Sequence, residues 1–81
     1  MKDELNIENF IKNFASQLEE TDISKVNAKT KFHKEIEEWD SFKALSVIAM
    51  VDKKYNVNLK GEDIRNSNTI EDLFKIVIAK K

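Results

Sequence analysis

The residues that could do chemistry sit together at Glu38-Trp39-Asp40-Ser41-Phe42, directly ahead of a long helical pattern. Asp40 has the side chain of a helix N-cap, whose carboxylate accepts orphan backbone N–H groups of the first turn. That places Ser41 at the first helical position, where a side chain projects from the helix end into solvent. Free N–H groups and the helix dipole favour negative charge at such an end. A serine hydroxyl there is well placed to carry a phosphate ester. The plainer reading is a cap followed by a tolerated small residue, and the dipeptide alone does not separate the two.

The helix that must position Ser41 is expected from Asp40 to about Tyr55. At about 100° per residue, Ala44, Val47, Ile48, Val51 and Tyr55 fall on one side, and Phe42, Leu45 and Ala49 on the other. The wider face must enter a core. The narrower one begins beside Ser41 and is either a docking strip for partner proteins or the second buried side of a central helix. Ahead of it, Glu35, Glu37 and Glu38 make either a solvated acidic loop or part of the field that meets a partner. His33 has no second His or Cys near it and reads as a surface or packing residue.

Around that centre, Ile7, Phe10, Ile11, Phe14 and Leu18 recur at helical spacing and predict a first helix over residues 4–19. Thr21 to Lys31 lacks periodicity and reads as a long connection anchored by Val26 and Phe32. Phe32 and Ile36 suit one loose turn. After the long helix, Val57 and Leu59 continue apolar contact, Lys60-Gly61 is a turn, and residues 62–66 make a short helical turn carrying Ile64. Thr69 and Asp72 have capping-box spacing and open a last amphipathic helix over 70–79.

The totals bound the function. Eighty-one residues make one domain, spanning 1–81, and no proline with a single glycine favours helices. The formal charge of −1 gives no basic field for nucleic acid. With no cysteine, a thiolate zinc site and a cysteine nucleophile are ruled out, and any thiol chemistry must come from an added group. No apolar run approaches a membrane span, and Met1-Lys2-Asp3-Glu4 has no apolar signal region, so a cytoplasmic location is expected. There is no nucleophile–base pair, metal cluster or glycine-rich phosphate loop, so the chain is not expected to be an enzyme.

In this order and spacing, the amphipathic opening helix, the loop ending near Phe32, Asp40-Ser41-Phe42, Val47/Val51, Tyr55-x-Val57-x-Leu59, Ile64 and Thr69-Ile70-x-Asp72-Leu73 resemble the acyl carrier proteins and their peptidyl and aminoacyl relatives. The resemblance covers nearly the whole chain. It implies an all-α four-helix bundle, with three long helices and a short third one. It also implies a 4′-phosphopantetheine arm on Ser41, attached from coenzyme A by a phosphopantetheinyl transferase that uses magnesium. Acyl groups would ride on the arm's thiol as thioesters, bound for acyl-loading, synthase or acyltransferase enzymes. Asp40 would assist cap geometry and transferase recognition, and Phe42, Leu45 and Ala49 would meet partners. Val47, Val51, Tyr55, Leu59 and Ile64 match core positions where an acyl chain can lodge, with packing their first role. The chain is expected to act as a monomer.

Two departures bear on cargo. Many members approach the serine through Gly-x-Asp-Ser, whereas this chain has Glu38-Trp39-Asp40-Ser41, in a loop about one residue longer; Trp39 either packs beneath the loop or selects the docking enzyme. The helix after the serine carries Lys43, Lys53 and Lys54 with Asp52 as its only acid, where fatty-acid carriers are strongly acidic. Charge complementarity steers docking, so a dedicated carrier for a specialised lipid, polyketide or surface-glycan group is expected over the housekeeping fatty-acid one. A peptidyl or aminoacyl carrier, such as a D-alanyl carrier, is the alternative. A helical interaction module without a prosthetic group stands further off, and a small helix-turn-helix DNA binder further still.

Overall fold

Apolar side chains at helical spacing need neighbours to cover them, and this chain supplies those neighbours from three long helices. The structure is a computed structural model and describes residues 5–81. In chain order its α-helices are α1 (Ile7–Ala15), α2 (Phe32–Glu35), α3 (Ser41–Tyr55), α4 (Gly61–Arg65) and α5 (Ile70–Lys80), with a 3₁₀ turn at Ile23–Lys25. Among the described residues there is no strand, and no helix is long and apolar enough to cross a membrane.

Helix α1 packs on both α3 and α5, and α4 bridges α3 and α5. Phe10 is the pivot, with ring centroids 5.8 Å from Tyr55 and 5.2 Å from Phe74. Phe14 continues the stripe one turn later and meets Phe32 at 5.4 Å. Val47, Val51, Leu59, Ile64, Ile70, Leu73 and Val77 close the core around them. Each fully buried large apolar side chain contributes about 1.5–3 kcal/mol before chain entropy is subtracted.

The first helix is shorter than its periodicity predicts. The expected start at residue 4 lies outside the described residues, and the helix begins at Ile7 because the Asn6 side chain accepts the Asn9 N–H at 2.8 Å. It stops at Ala15 rather than residue 19, since the Ser16 hydroxyl donates to the Asn13 carbonyl and the backbone tightens into single turns. Leu18 keeps its place in the core from outside the helix. The connection that follows is anchored by buried Val26 and Phe32, as expected, and contains the unpredicted 3₁₀ turn, which Asp22 caps by accepting the Ser24 N–H.

The remaining boundaries follow the sequence closely. Helix α3 ends at Tyr55, and Asn56 leaves it in the left-handed region at φ 57°. Gly61 is the first residue of α4 rather than part of a turn ahead of it, with the Asp63 carboxylate accepting the Lys60 N–H at 2.9 Å. Thr69 and Asp72 cap α5 reciprocally. That end is also tied to the long connection, where the Ala28 and Thr30 carbonyls accept the N–H groups of Glu71 and Ile70.

Candidate functional site

Asp40 has an extended backbone, and its carboxylate accepts the Lys43 N–H at 2.9 Å, which starts α3 at Ser41. The Ser41 hydroxyl is exposed and makes no hydrogen bond among the described residues. At a helix start the first N–H groups have no partner within the helix, so the N–H groups of Ser41 and Phe42 stand beside that hydroxyl.

The two faces of α3 separate as their angles predict. Val47, Val51 and Tyr55 are buried, and Ala44 and Ile48 are half-buried. Met50 is also buried, to 5% exposure, a position the angular projection leaves between the faces. On the other side Phe42 is 78% exposed and Leu45 61% exposed, with Ala49 exposed behind them. The narrow strip is therefore a surface feature beginning next to Ser41, and the reading of α3 as buried on both sides falls away.

The loop that delivers Ser41 is held by two devices. One is aromatic: the Trp39 ring stacks on Phe14 at 5.4 Å and 7°, and meets Phe32 edge-on at 4.8 Å. Trp39 thus packs beneath the loop, while its remaining surface lines a groove beside Ser41. The other is Glu38. Its carboxylate accepts the N–H groups of Glu19 and Glu20 at 2.9 and 2.8 Å and the Thr21 hydroxyl, and lies 3.5 Å from the Lys43 ammonium. The Thr21 hydroxyl bond, then the Glu19 N–H, pulls the Glu38 carboxyl from its usual 4.5 down to about 2.

Glu38 is therefore a clasp between the segment that follows α1 and the loop that precedes α3, so of the two readings of the glutamates the solvated loop does not hold for Glu38. Glu35 and Glu37 remain exposed. Sequence reasoning missed the clasp because its partners lie 17–19 residues away and two of them are backbone groups, which any residue supplies. Lys43, one of the three lysines of α3, is likewise engaged, its side chain only 17% exposed between Glu38 and Glu19.

His33 is a surface residue whose ring lies against Phe32 at 4.3 Å, in keeping with the surface-or-packing reading. Its Nε2 lies 3.0 Å from the Ile64 carbonyl, and because a carbonyl only accepts, Nε2 carries the proton there. This joins α2 to α4 across the groove beside Ser41. That groove has a volume of about 500 Å³, within the range of small-molecule sites. Trp39, Ala44, Leu45, Ile48 and Ile64 make its apolar lining, and Asp40, Ser41, Gly61 and Arg65 complete it. Sequence reasoning did not single out Arg65, since one arginine on a short helix carries no pattern.

No protein-family model, curated protein or solved structure matches this chain.

Proposed function

We propose that this chain is a carrier protein of the acyl carrier type, with Ser41 as the attachment point of a 4′-phosphopantetheine arm. The observation that carries the reading is the setting of Ser41: an unengaged, exposed hydroxyl at the first residue of an Asp40-capped helix, between an open groove and an exposed apolar strip. The three long helices α1, α3 and α5 with short α4 between the last two suit the bundle that the sequence resemblance implies, with α2 added as a single turn.

The residues present fit such an arm. In loading, the Ser41 oxygen forms a new bond to the pantetheine-bearing phosphorus of the coenzyme A pyrophosphate, the P–O bond to the adenosine 3′,5′-bisphosphate leaving group breaks, and the hydroxyl proton passes to a base of the transferase. The rigid Trp39 and Glu38 attachments hold the hydroxyl at a fixed point, so the transferase meets a preorganised end of α3. Phe42, Leu45 and Ala49 give that enzyme, and the acyl-handling enzymes after it, an apolar strip in register with the serine. Bound to Ser41, the arm supplies the thiol on which acyl groups are carried as thioesters. Tethering raises the cargo's effective concentration at each docked partner.

The test is incubation with coenzyme A, magnesium and a promiscuous phosphopantetheinyl transferase, followed by intact-mass measurement. The wild-type chain should gain one arm, and Ser41→Ala none. A wild-type chain that stays unmodified under conditions that load a control carrier would overturn the reading. Charging the loaded form with acyl- or aminoacyl-activating enzymes then identifies the cargo class.

A further inference from the structure

Between α2 and the connection from α4 to α5 lies a recess of about 170 Å³. Among the described residues it is lined by Lys31, His33, Lys34 and Asn68, with no acid. The side chains of Lys31, Lys34 and Asn68 make no ion pair or hydrogen bond among the described residues. Lys29, two residues earlier, differs, because Glu71 pairs with it at 3.1 Å. Asp72 accepts the Asn68 backbone N–H at 3.1 Å and does not line the recess. Like charges three residues apart repel, and no acid stands within ion-pair distance of Lys31 or Lys34 to offset them. Two ties hold the walls together: His33 Nε2 donates to the Ile64 carbonyl at 3.0 Å, and the Thr30 carbonyl accepts the Ile70 N–H at 3.2 Å. The first tie leaves His33 Nδ1 for a ligand.

We propose that this recess is a phosphate-group site, with Lys31 and Lys34 supplying the charge and His33 and Asn68 the further polar contacts. Charge selects an anion, and the number of separate polar groups selects its shape. A tetrahedral phosphate turns oxygens in several directions, whereas a carboxylate offers two in one plane. Lysine binds phosphate as a point charge, without the planar match that arginine needs. Size agrees: at roughly 30 Å³ per water in the liquid, the recess has the room of about five waters, enough for one phosphate group. The lysines are exposed, so binding is weak, in the millimolar range. The group comes either from free phosphate or from the terminal phosphate of coenzyme A, the proposed loading substrate. The site does not depend on the carrier reading, because the unloaded chain presents it.

The experiment titrates the unloaded full chain with inorganic phosphate at constant ionic strength and follows the amides by NMR. The amides of His33, Lys34 and Asn68 should shift and saturate. The double variant Lys31→Gln, Lys34→Gln should bind phosphate at least fivefold more weakly. Both lysines are exposed and unpaired, and Gln is a good helix former, so this chain should fold. The double variant Lys53→Gln, Lys54→Gln removes the same charge from α3, outside the recess, and should bind within twofold of wild type. Shifts that do not saturate, that sodium chloride reproduces, or that weaken equally in both double variants overturn the proposal. Coenzyme A and dephospho-coenzyme A, which lacks the terminal phosphate, then identify the source. At least threefold tighter binding of coenzyme A assigns the recess to its terminal phosphate, and equal binding of the two assigns it to free phosphate.

Discussion

The Thr21 hydroxyl donates to the Glu38 carboxylate across seventeen residues, and the same carboxylate gathers two backbone N–H groups from the segment leaving α1. The segment after the first helix and the loop ahead of α3 are thereby fixed to one another two residues before the cap of α3. The stack of Trp39 on Phe14 is a second tie between the Ser41 loop and the α1 region.

The clasp makes stability depend on pH in a defined window. Glu38 in the folded chain titrates near 2, below its ordinary 4.5, because the Thr21 hydroxyl and the Glu19 N–H favour its charged form. A depressed carboxyl contributes stability that is whole above the unfolded value and is lost as pH falls through the folded one. We therefore expect Glu38→Gln to lower the thermal midpoint at neutral pH, with the gap to wild type closing from pH 4.5 down to about 2. Asp63 and Asp72, also held low, chiefly by backbone N–H groups, remain in both chains and cancel in the comparison. A gap that stays constant across that range would show that Glu38 acts through something other than its charge.

Trp39 supports the loop by area rather than by charge. It is half-buried and makes face and edge contacts with Phe14 and Phe32. Trp39→Ala should cost roughly 2 kcal/mol in urea unfolding, and Trp39→Phe clearly less, because a smaller ring keeps part of the stack. A loss below about 0.5 kcal/mol, the range of ordinary surface changes, would mean that the ring is not a support.

The start of α5 tests the other end of the fold. Thr69 accepts the Asp72 N–H at 3.1 Å while Asp72 accepts the Thr69 N–H at 3.1 Å. Removing the hydroxyl by Thr69→Ala should cost about 1 kcal/mol, and Thr69→Ser should restore most of it. Equal stability of the Ala and Ser chains would show that the cap adds nothing beyond the backbone ties to Ala28 and Thr30.

What the sequence made legible follows the range of the interactions concerned. The span of α3, the capping pair Thr69/Asp72, the split of α3 into buried and exposed faces and the anchors Val26 and Phe32 all depend on residues within a turn or two, or on side-chain type. The early end of α1 at Ala15 was hidden because Leu18 continues the apolar spacing after the backbone has left the helix. Asn56 in the left-handed region was hidden because several residues can end a helix. At the candidate site, Ser41, Asp40 and the Phe42 strip were readable from local pattern. Glu38 as a clasp and Arg65 as a groove residue were not, since each depends on which distant segment folds against it.

The exposed strip yields the sharpest separation of fold from function. Phe42 is 78% exposed, so little of its side chain leaves water on folding. Phe42→Ala should therefore change unfolding free energy by no more than about 0.5 kcal/mol. If the strip docks the transferase, an aromatic anchor beside the reacting hydroxyl is where interface energy concentrates, and truncating such an anchor commonly costs more than 1 kcal/mol. We expect kcat/KM for loading to fall by about tenfold, equivalent to about 1.4 kcal/mol, with Leu45→Ala in the same direction. Stability and loading would then respond to different residues, Trp39 governing the first and Phe42 the second. Loading of Phe42→Ala at the wild-type rate would place the docking surface elsewhere on the chain and leave the exposed ring without a role in recognition by that enzyme.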